Sequence, residues 1–344
     1  LGRRPGAGVT IRAIADEAGV SIATVSRVIN GRAPVAPATR EMVRQAAERL
    51  GGAPGGIGPT AAHPVLVYCP YVLTDYFGTI VTSVVETLAL HGRRAVVQAG
   101  ETAQGQTSTL LDLPGQPGIA GAVLVLPPSS TEDLQALHAR RYPLVVIDPR
   151  VELPEDVASV SAAHAAGARR ITGHLLSLGH RRIGFVGGPV DWQASRSRFV
   201  GHASALAEIG LLTEPDLVRH VEEPTAELGY RAALSLLEQA EPPTAVVAFN
   251  DKTAAGALRA ARHRGLRVPE DLSVTGFDDS ELSESTTPML TTARQPLEEM
   301  GRMAVSLLMR LVAGHAVDTL HVELATPLVV RESTARVGRA PRTG

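Results

Sequence analysis

The sequence predicts a small all-α headpiece followed by an α/β body of two doubly wound parallel sheets. Three observations carry this fold class. Residues 9–31 hold a compact two-helix pattern, residues 50–63 are rich in Gly and Pro, and beyond them short apolar runs alternate with helical stretches.

In the headpiece, Thr10 is a hydroxyl residue placed to cap a helix whose Ile11, Ile14, Ala15 and Ala18 recur at helical spacing, and Gly19 supplies the break that ends it. Ser21 is positioned to cap a second helix with Val25, Val28 and Ile29 on one face and Ala23, Ser26, Arg27 and Asn30 on the other. Two short helices joined by a tight Gly-containing turn match the helix-turn-helix pattern, which inserts its second helix into the major groove. Small Ala23 lets the backbone approach DNA, and Thr24 and Ser26 can bond phosphate oxygens. Arg27 carries a guanidinium fork that matches the paired acceptors of guanine; its other reading is a solvated surface arginine. Ile22 either touches a thymine methyl or joins the core with Val25.

A chain of 344 residues suggests two or three domains, and 44% apolar composition is ample for globular cores. No apolar run approaches a membrane span, and the opening Leu1-Gly-Arg-Arg-Pro-Gly lacks a secretory apolar segment, so a cytoplasmic protein with no membrane partner is expected. Cys69, the one cysteine, reads as a small buried hydrophobe. The net charge of −2 conceals a division: residues 1–60 hold eight arginines against four acids, a basic head on an acidic body. Counterion release can drive such a head onto DNA, and its modest charge calls for a second copy on a two-fold site.

In the body, runs 65–69, 95–98, 122–126 and 144–147 read as strands alternating with helices at 77–91 and 132–140. A second series of strands at 183–186, 218–221, 245–249 and 272–277 alternates with helices near 162–178, 198–209, 227–239 and 252–263. Such sheets bind ligands at the carboxyl ends of their strands, which is where Asp148, Asn250, Asp251, Asp278 and Asp279 fall. A sugar, whose hydroxyls both donate and accept, suits carboxylates combined with an arginine or asparagine. Aromatic residues are only 3% of the chain, so Phe77, Trp192 and Phe277 near these loops are candidate stacking faces. The competing readings are helix caps for Asn250-Asp251, caps or turns for Asp278-Asp279, and core packing for Phe77. No catalytic motif, phosphate loop or dinucleotide fingerprint is present, so no enzyme activity and no cofactor are expected. His174 and His180 lack partners for a metal and read as solvated or helix-capping.

The stretch Val9-Thr-Ile-Arg-Ala-Ile-Ala-Asp-Glu-Ala-Gly-Val-Ser-Ile-Ala-Thr-Val-Ser-Arg-Val-Ile-Asn-Gly31, with the third-helix segment 33–51, resembles the headpiece of the lactose-repressor family of bacterial transcription regulators. One departure is Ala36 where the family has a serine cap, although Pro37 still favours helix entry. Leu178-Gly-His-Arg-Arg-Ile-Gly-Phe-Val-Gly-Gly-Pro189, Ala248-Phe-Asn-Asp-Lys-Thr-Ala-Ala-Gly-Ala-Leu258, Gly265-Leu-Arg-Val-Pro-Glu-Asp-Leu-Ser-Val-Thr-Gly-Phe-Asp-Asp279 and Leu290-Thr-Thr-Ala-Arg-Gln-Pro-Leu-Glu-Glu-Met-Gly-Arg302 resemble its effector domain, which is similar to periplasmic sugar-binding proteins. The resemblance implies a DNA-binding domain at 1–52, a hinge linker at 53–63, a bilobed domain at 64–334 and a flexible tail at 335–344. Lobe one would hold about 64–161 and 294–323, lobe two 162–293 and 324–334, with three crossings between them. It implies ligand roles for Arg198, Asn250 and Asp278, a ligand or hinge role for Asp148 and Gln295, and structural roles for Asp251 and Asp279. The function implied is a homodimeric repressor on a pseudo-palindromic double-stranded operator, controlled through lobe closure by a small sugar. A regulator answering to a nucleobase or phosphorylated metabolite would share every motif. A sugar-transport protein would share only the body.

Two outcomes follow from the headpiece and linker. If Arg27 forks onto guanine, Arg27→Ala costs about 1–3 kcal/mol and relaxes preference at one base pair per half-site in a binding-site selection; equal weakening on all sequences would make it a phosphate contact. The family's hinge helix inserts a leucine into the minor groove, whereas Pro54-Gly-Gly-Ile-Gly-Pro-Thr-Ala61 has Gly58, Pro59 and Ala61 where Ala, Arg and Leu are usual. Interior Gly costs a helix about 1 kcal/mol and Pro about 3, so the operator should be bent little and central base pairs tolerated. A gel bending assay that finds a sharp central kink would show a working wedge, with Ile57 the available side chain.

Overall fold

The computed structural model describes residues 11–22, 24–25, 28, 35–50, 63–70, 75–99, 111–113, 118–315 and 320–338. Thr10, Ala23, Ser26, Arg27, Asn30 and the hinge segment 53–62 lie outside the described residues. The chain divides into one unit of Leu1–Pro64 with His91–Arg94 and a second of Val65–Leu90 with Ala95–Gly344.

In the N-terminal unit, helix α1 (Ile11–Ala18) ends at Gly19, whose φ of +64° is the left-handed conformation glycine adopts without strain. Ser21 then caps the next helix: its Oγ accepts the Thr24 amide at 3.1 Å and its carbonyl accepts that of Val25. Helix α2 (Pro37–Arg49) starts on the proline, and the Arg49 guanidinium bonds Glu17 of α1 at 2.9 Å. Ile14, Ala15, Ala18, Val25, Val28, Val43 and Ala46 form the core between them. Ile22 stays outside it, 52% exposed, so of its two readings the core is excluded.

The body begins with strand β1 (Val65–Cys69), followed by α3 (Asp75–Leu90), β2 (Ala95–Ala99), β3 (Ala122–Val125), α4 (Thr131–Ala139), β4 (Leu144–Ile147) and β5 (Ser159–Ala162). These strands and β11 (His321–Leu324) form a six-stranded parallel sheet in the order β11-β5-β4-β3-β1-β2. On one face pack α3 and α10 (Leu297–Val312), on the other α4. Lobe two carries α5 (His164–Ser177), β6 (Ile183–Gly187), α6 (Gln193–Ala207), β7 (Val218–His220), α7 (Ala226–Leu237), β8 (Ala245–Ala248), α8 (Asp251–His263) and β9 (Ser273–Thr275). Its parallel sheet runs β7-β6-β8-β9, between α5 and α6 on one face and α7 and α8 on the other. The central strands are buried throughout, as unbroken apolar runs must be when helices cover both faces. A short helix α9 (Glu281–Ser285) and an antiparallel pair, β10 (Thr292–Ala293) with β12 (Leu328–Val329), complete lobe two. The chain therefore passes between the sheets three times: after β5, after β10 and after β11.

Three sequence expectations need correction. Strands β5 and β11 were not legible, because Ser-Val-Ser-Ala and His-Val-Glu-Leu are short and half polar. His180 is neither solvated nor a cap: it is buried, with Nδ1 2.9 Å from Thr244 Oγ1 and Nε2 3.0 Å from the Ala335 carbonyl, while His174 Nε2 meets Thr334 Oγ1 at 3.0 Å. Those histidines pin the segment expected to be a tail: the Ala335 amide donates to Ser273 Oγ at 3.1 Å and that of Val337 to the Leu178 carbonyl at 3.1 Å. Cys69 is fully buried and its thiol is pushed up to about 11 by burial, which leaves it unreactive.

Helices α5 and α6 approach so closely that a Cβ on Gly201 would lie 2.1 Å from the Ala165 carbonyl oxygen. The next residue, His202, is fully buried; its Nδ1 lies 2.9 Å from Thr172 Oγ1 and its Nε2 has no partner. Burial lowers it from 6.5 to about 4, so the fold holds it neutral. The unfolded chain then binds the extra proton first, and this contribution to stability is complete above pH 6.5 and lost as pH falls toward 4. Against His202→Gln, the wild type should lose up to about 3 kcal/mol more over that window in urea unfolding. Parallel curves would show that His202 is hydrated in the native state.

Candidate functional site

A cleft of about 920 Å³ opens between the lobes at the carboxyl ends of both parallel sheets, the size of a small-molecule site. Leu126, Asp148, Asp278 and Asp279 turn the chain at these strand ends, all with positive φ (44°, 47°, 118° and 58°). A non-glycine residue adopts this conformation rarely, and Asp more readily than most. The backbone is thereby bent sharply just where side chains must face the cleft.

Arg198, from α6, forms the floor. Its guanidinium is buried, donates from Nη1 to the Phe249 carbonyl at 2.5 Å, and presents Nε and Nη2 to His164 Nδ1 at 3.4 and 3.3 Å. Its Cζ lies over the rings of Phe249 and Phe277, 4.4 and 3.7 Å from their centroids. Asp278 Oδ1 lies 3.9 Å from Nη2 and accepts the Gln295 amide at 2.6 Å. Burial raises the Asp278 carboxyl above the usual carboxylate range, against the pull of Arg198.

Asp148 faces this group from lobe one. It accepts the Tyr76 hydroxyl at 2.5 Å, the Ala162 amide at 3.2 Å and His164 Nε2 at 3.1 Å. Burial alone would raise it, but His164 and these donors hold it below its ordinary value, so it is a carboxylate. The Asp148 partners Ala162 and His164 flank the first crossing. Gln295 sits on the second crossing and likewise bonds inward, leaving its Oε1 buried without a partner.

Asn250 caps α8 and also lines the cleft. Its Oδ1 accepts the Thr253 amide at 2.9 Å in a capping box for α8, while the residue lines the cleft with its amide nitrogen still available. Asp251 is structural, accepting Thr292 Oγ1 and the Ser280 amide and hydroxyl, and burial beside Asp278 raises it. Asp279, paired with Arg294 and Arg331, is held low by them against burial. Trp192 lines the cleft, packs against the core of lobe one and stacks under the Arg150 guanidinium at 4.8 Å. Phe77 does double duty: 7% exposed and part of the lobe-one core, it still lines the cleft.

Phe277 is the correction here. It is 1% exposed, belongs to the lobe-two core and does not line the cleft; it backs Arg198 from beneath. Phe249 and Lys252, which the sequence did not single out, line it instead, as does Tyr76. Among the described residues no group of three or more His, Cys, Asp or Glu could hold a metal ion, and no helix is long and apolar enough to cross a membrane.

Two family signatures match the chain: bacterial regulatory proteins, lacI family, over residues 10–54, and a periplasmic binding protein-like domain over residues 172–334. The HTH-type transcriptional repressor CytR of Escherichia coli K12 is 32% identical over 333 residues, spanning 94% of this chain and 96% of its own length. The chain belongs to the lacI family. As a lacI-family member it is a DNA-binding transcription regulator, with the helix-turn-helix unit at its N-terminus and the cleft in its periplasmic binding protein-like body. The transcriptional regulator CelR in complex with cellobiose is 33% identical, with a TM-score of 0.72 over 94% of this chain and 99% of that one. The lac repressor dimer bound to operator and the anti-inducer ONPF is 28% identical, with a TM-score of 0.75 over 96% and 100%.

Proposed function

We propose that this lacI-family regulator is a cytoplasmic, homodimeric repressor that holds a pseudo-palindromic operator with its two heads and answers to a small neutral carbohydrate in the cleft. We read it as a binding protein and not an enzyme, in keeping with its relatives.

The observation that carries the sugar reading is the pairing of flat aromatic faces with groups of both hydrogen-bonding senses. Trp192 and Phe249 supply the faces, Arg198 and the Asn250 amide donate, and Asp278 accepts. CelR, of similar fold and 33% identical, is a cellobiose complex. A phosphorylated metabolite is less well suited, because Asp75, Glu223, Glu281, Glu298 and Glu299 also line the cleft and only Lys252, Arg294 and Arg302 join Arg198 on the positive side.

The test is thermal unfolding of the full chain with neutral mono- and disaccharides, sugar phosphates and purines. A cognate ligand at one hundred times its Kd adds about 2.7 kcal/mol of stability. Stabilisation by a neutral saccharide is expected; stabilisation only by purines or phosphates would replace the ligand class. Arg198→Ala should reduce the affinity of the hit at least tenfold, since it removes the main donor and leaves buried acceptors unpaired. Unchanged affinity in that variant, with the wild-type hit confirmed, would move the ligand away from the floor.

A further inference from the structure

We propose that His164 is a positioning residue that couples the ligand-facing Arg198 of lobe two to Asp148 of lobe one, holding the two lobes in register through one fixed imidazole tautomer. This rests on the reading of the cleft as the effector site. His164 does not itself line the cleft.

Arg198 has only donors, so the nitrogen that meets its Nε and Nη2, His164 Nδ1 at 3.4 and 3.3 Å, must be a bare acceptor. Asp148 already accepts the Tyr76 hydroxyl and the Ala162 amide and meets His164 Nε2 as a carboxylate acceptor at 3.1 Å, so that nitrogen must carry the proton. Both requirements select the neutral Nε2–H tautomer, and each partner alone would select it. All three side chains are buried, so these bonds form out of bulk solvent. An imidazolium would turn an N–H toward the guanidinium and break the link.

Position gives the link its consequence. His164 begins α5, immediately after the first crossing, and Asp148 also holds the Ala162 amide on the other side of that crossing. Beyond Asp148 the chain of bonds reaches Tyr76 in the first turn of α3; beyond Arg198 it reaches Asp278 and, through it, Gln295 on the second crossing. Tyr76 and Arg198 both line the cleft, so the two walls that a ligand would touch are joined through one imidazole. A ligand that pulls on Arg198 changes the same bonds that set the angle between the lobes.

Trp192, the only tryptophan in the sequence, reports this directly, because it extends from lobe two to pack against lobe one. Acrylamide quenching of its fluorescence in the full-length, ligand-free protein measures lobe register without needing the effector. His164→Phe keeps the ring and removes both hydrogen bonds; His164→Gln supplies one acceptor and one donor on an amide. We expect the quenching constant to rise at least twofold in His164→Phe and to return to within a third of wild type in His164→Gln. No rise in His164→Phe, or an equal rise in both variants, would overturn the coupling and leave His164 a space-filling residue. If His164→Phe does not fold, ¹⁵N-histidine spectra of the wild type decide, with His164→Gln identifying the resonance: a neutral Nε2–H tautomer supports the proposal, and an Nδ1–H tautomer or an imidazolium at pH 7 overturns it. A thermal-shift series with cellobiose, glucose and maltose on wild type runs alongside. Failure of every saccharide would count against the sugar reading, while the quenching and tautomer results would still stand for or against His164.

Discussion

A guanidinium taken out of water loses several kcal/mol of hydration unless its surroundings replace it, and the centre of this protein is organised around one such group. Arg198 is 4% exposed. Its Cζ lies over the rings of both Phe249 and Phe277, the Phe249 carbonyl takes one Nη1 proton, His164 accepts from Nε and Asp278 stands 3.9 Å away. These partners come from the strand ends of β8 and β9 and from the first crossing, so one charge on α6 ties its helix to three other segments. The remaining N–H groups are left to the cleft. An arginine already desolvated and oriented in this way gives a ligand its hydrogen bonds without a further ordering cost, which is the advantage of preorganisation.

The carboxylates near that charge are not equivalent. Asp148 is held ionised by three donors, whereas Asp278 and Asp251, sharing a buried corner, are both raised by burial and, for Asp251, by the neighbouring carboxylate. The floor thus presents one well-satisfied anion, Asp148, beside the first crossing and one under-satisfied carboxyl, Asp278, beside Arg198. A hydroxyl that donates to Asp278 while accepting from Arg198 would relieve both, and an anion would relieve only one. That asymmetry is the physical basis for expecting an uncharged, hydroxyl-bearing ligand.

Much of this was legible from residue patterns because buried parallel strands write themselves as apolar runs and the polar residue that follows each run faces the cleft. Asp148, Asn250 and Asp278 were found by that rule, and Arg198 by resemblance. His164 was missed for an identifiable reason: it follows β5, and Ser159-Val-Ser-Ala162 is too short and too polar to register as a strand, so the rule had no strand end to read. Phe277 and Phe249 show the opposite limit. Each is the last apolar residue before a polar strand-end residue, yet Phe249 turns to the cleft and Phe277 into the core. Which way each ring turns depends on Arg198 lying between them, a contact across more than fifty residues of chain that local periodicity does not encode.

The three crossings between lobes also form one bonded unit. The Ala163 amide on the first donates to the Leu324 carbonyl on the third at 2.8 Å, and Thr326 Oγ1 returns a bond to the Ala163 carbonyl at 3.0 Å. The Arg294 amide on the second donates to the Pro327 carbonyl on the third at 2.9 Å, and the Asp278 amide donates to the Ala293 carbonyl at 2.9 Å. A rotation of one lobe against the other must therefore be taken up at all three segments together, and two of them are held by residues of the cleft floor, Asp148 and Asp278. A ligand need not push a lobe in order to move it. It need only bind one arrangement of this ribbon better than another, and the lobes follow by the amount of that difference in affinity.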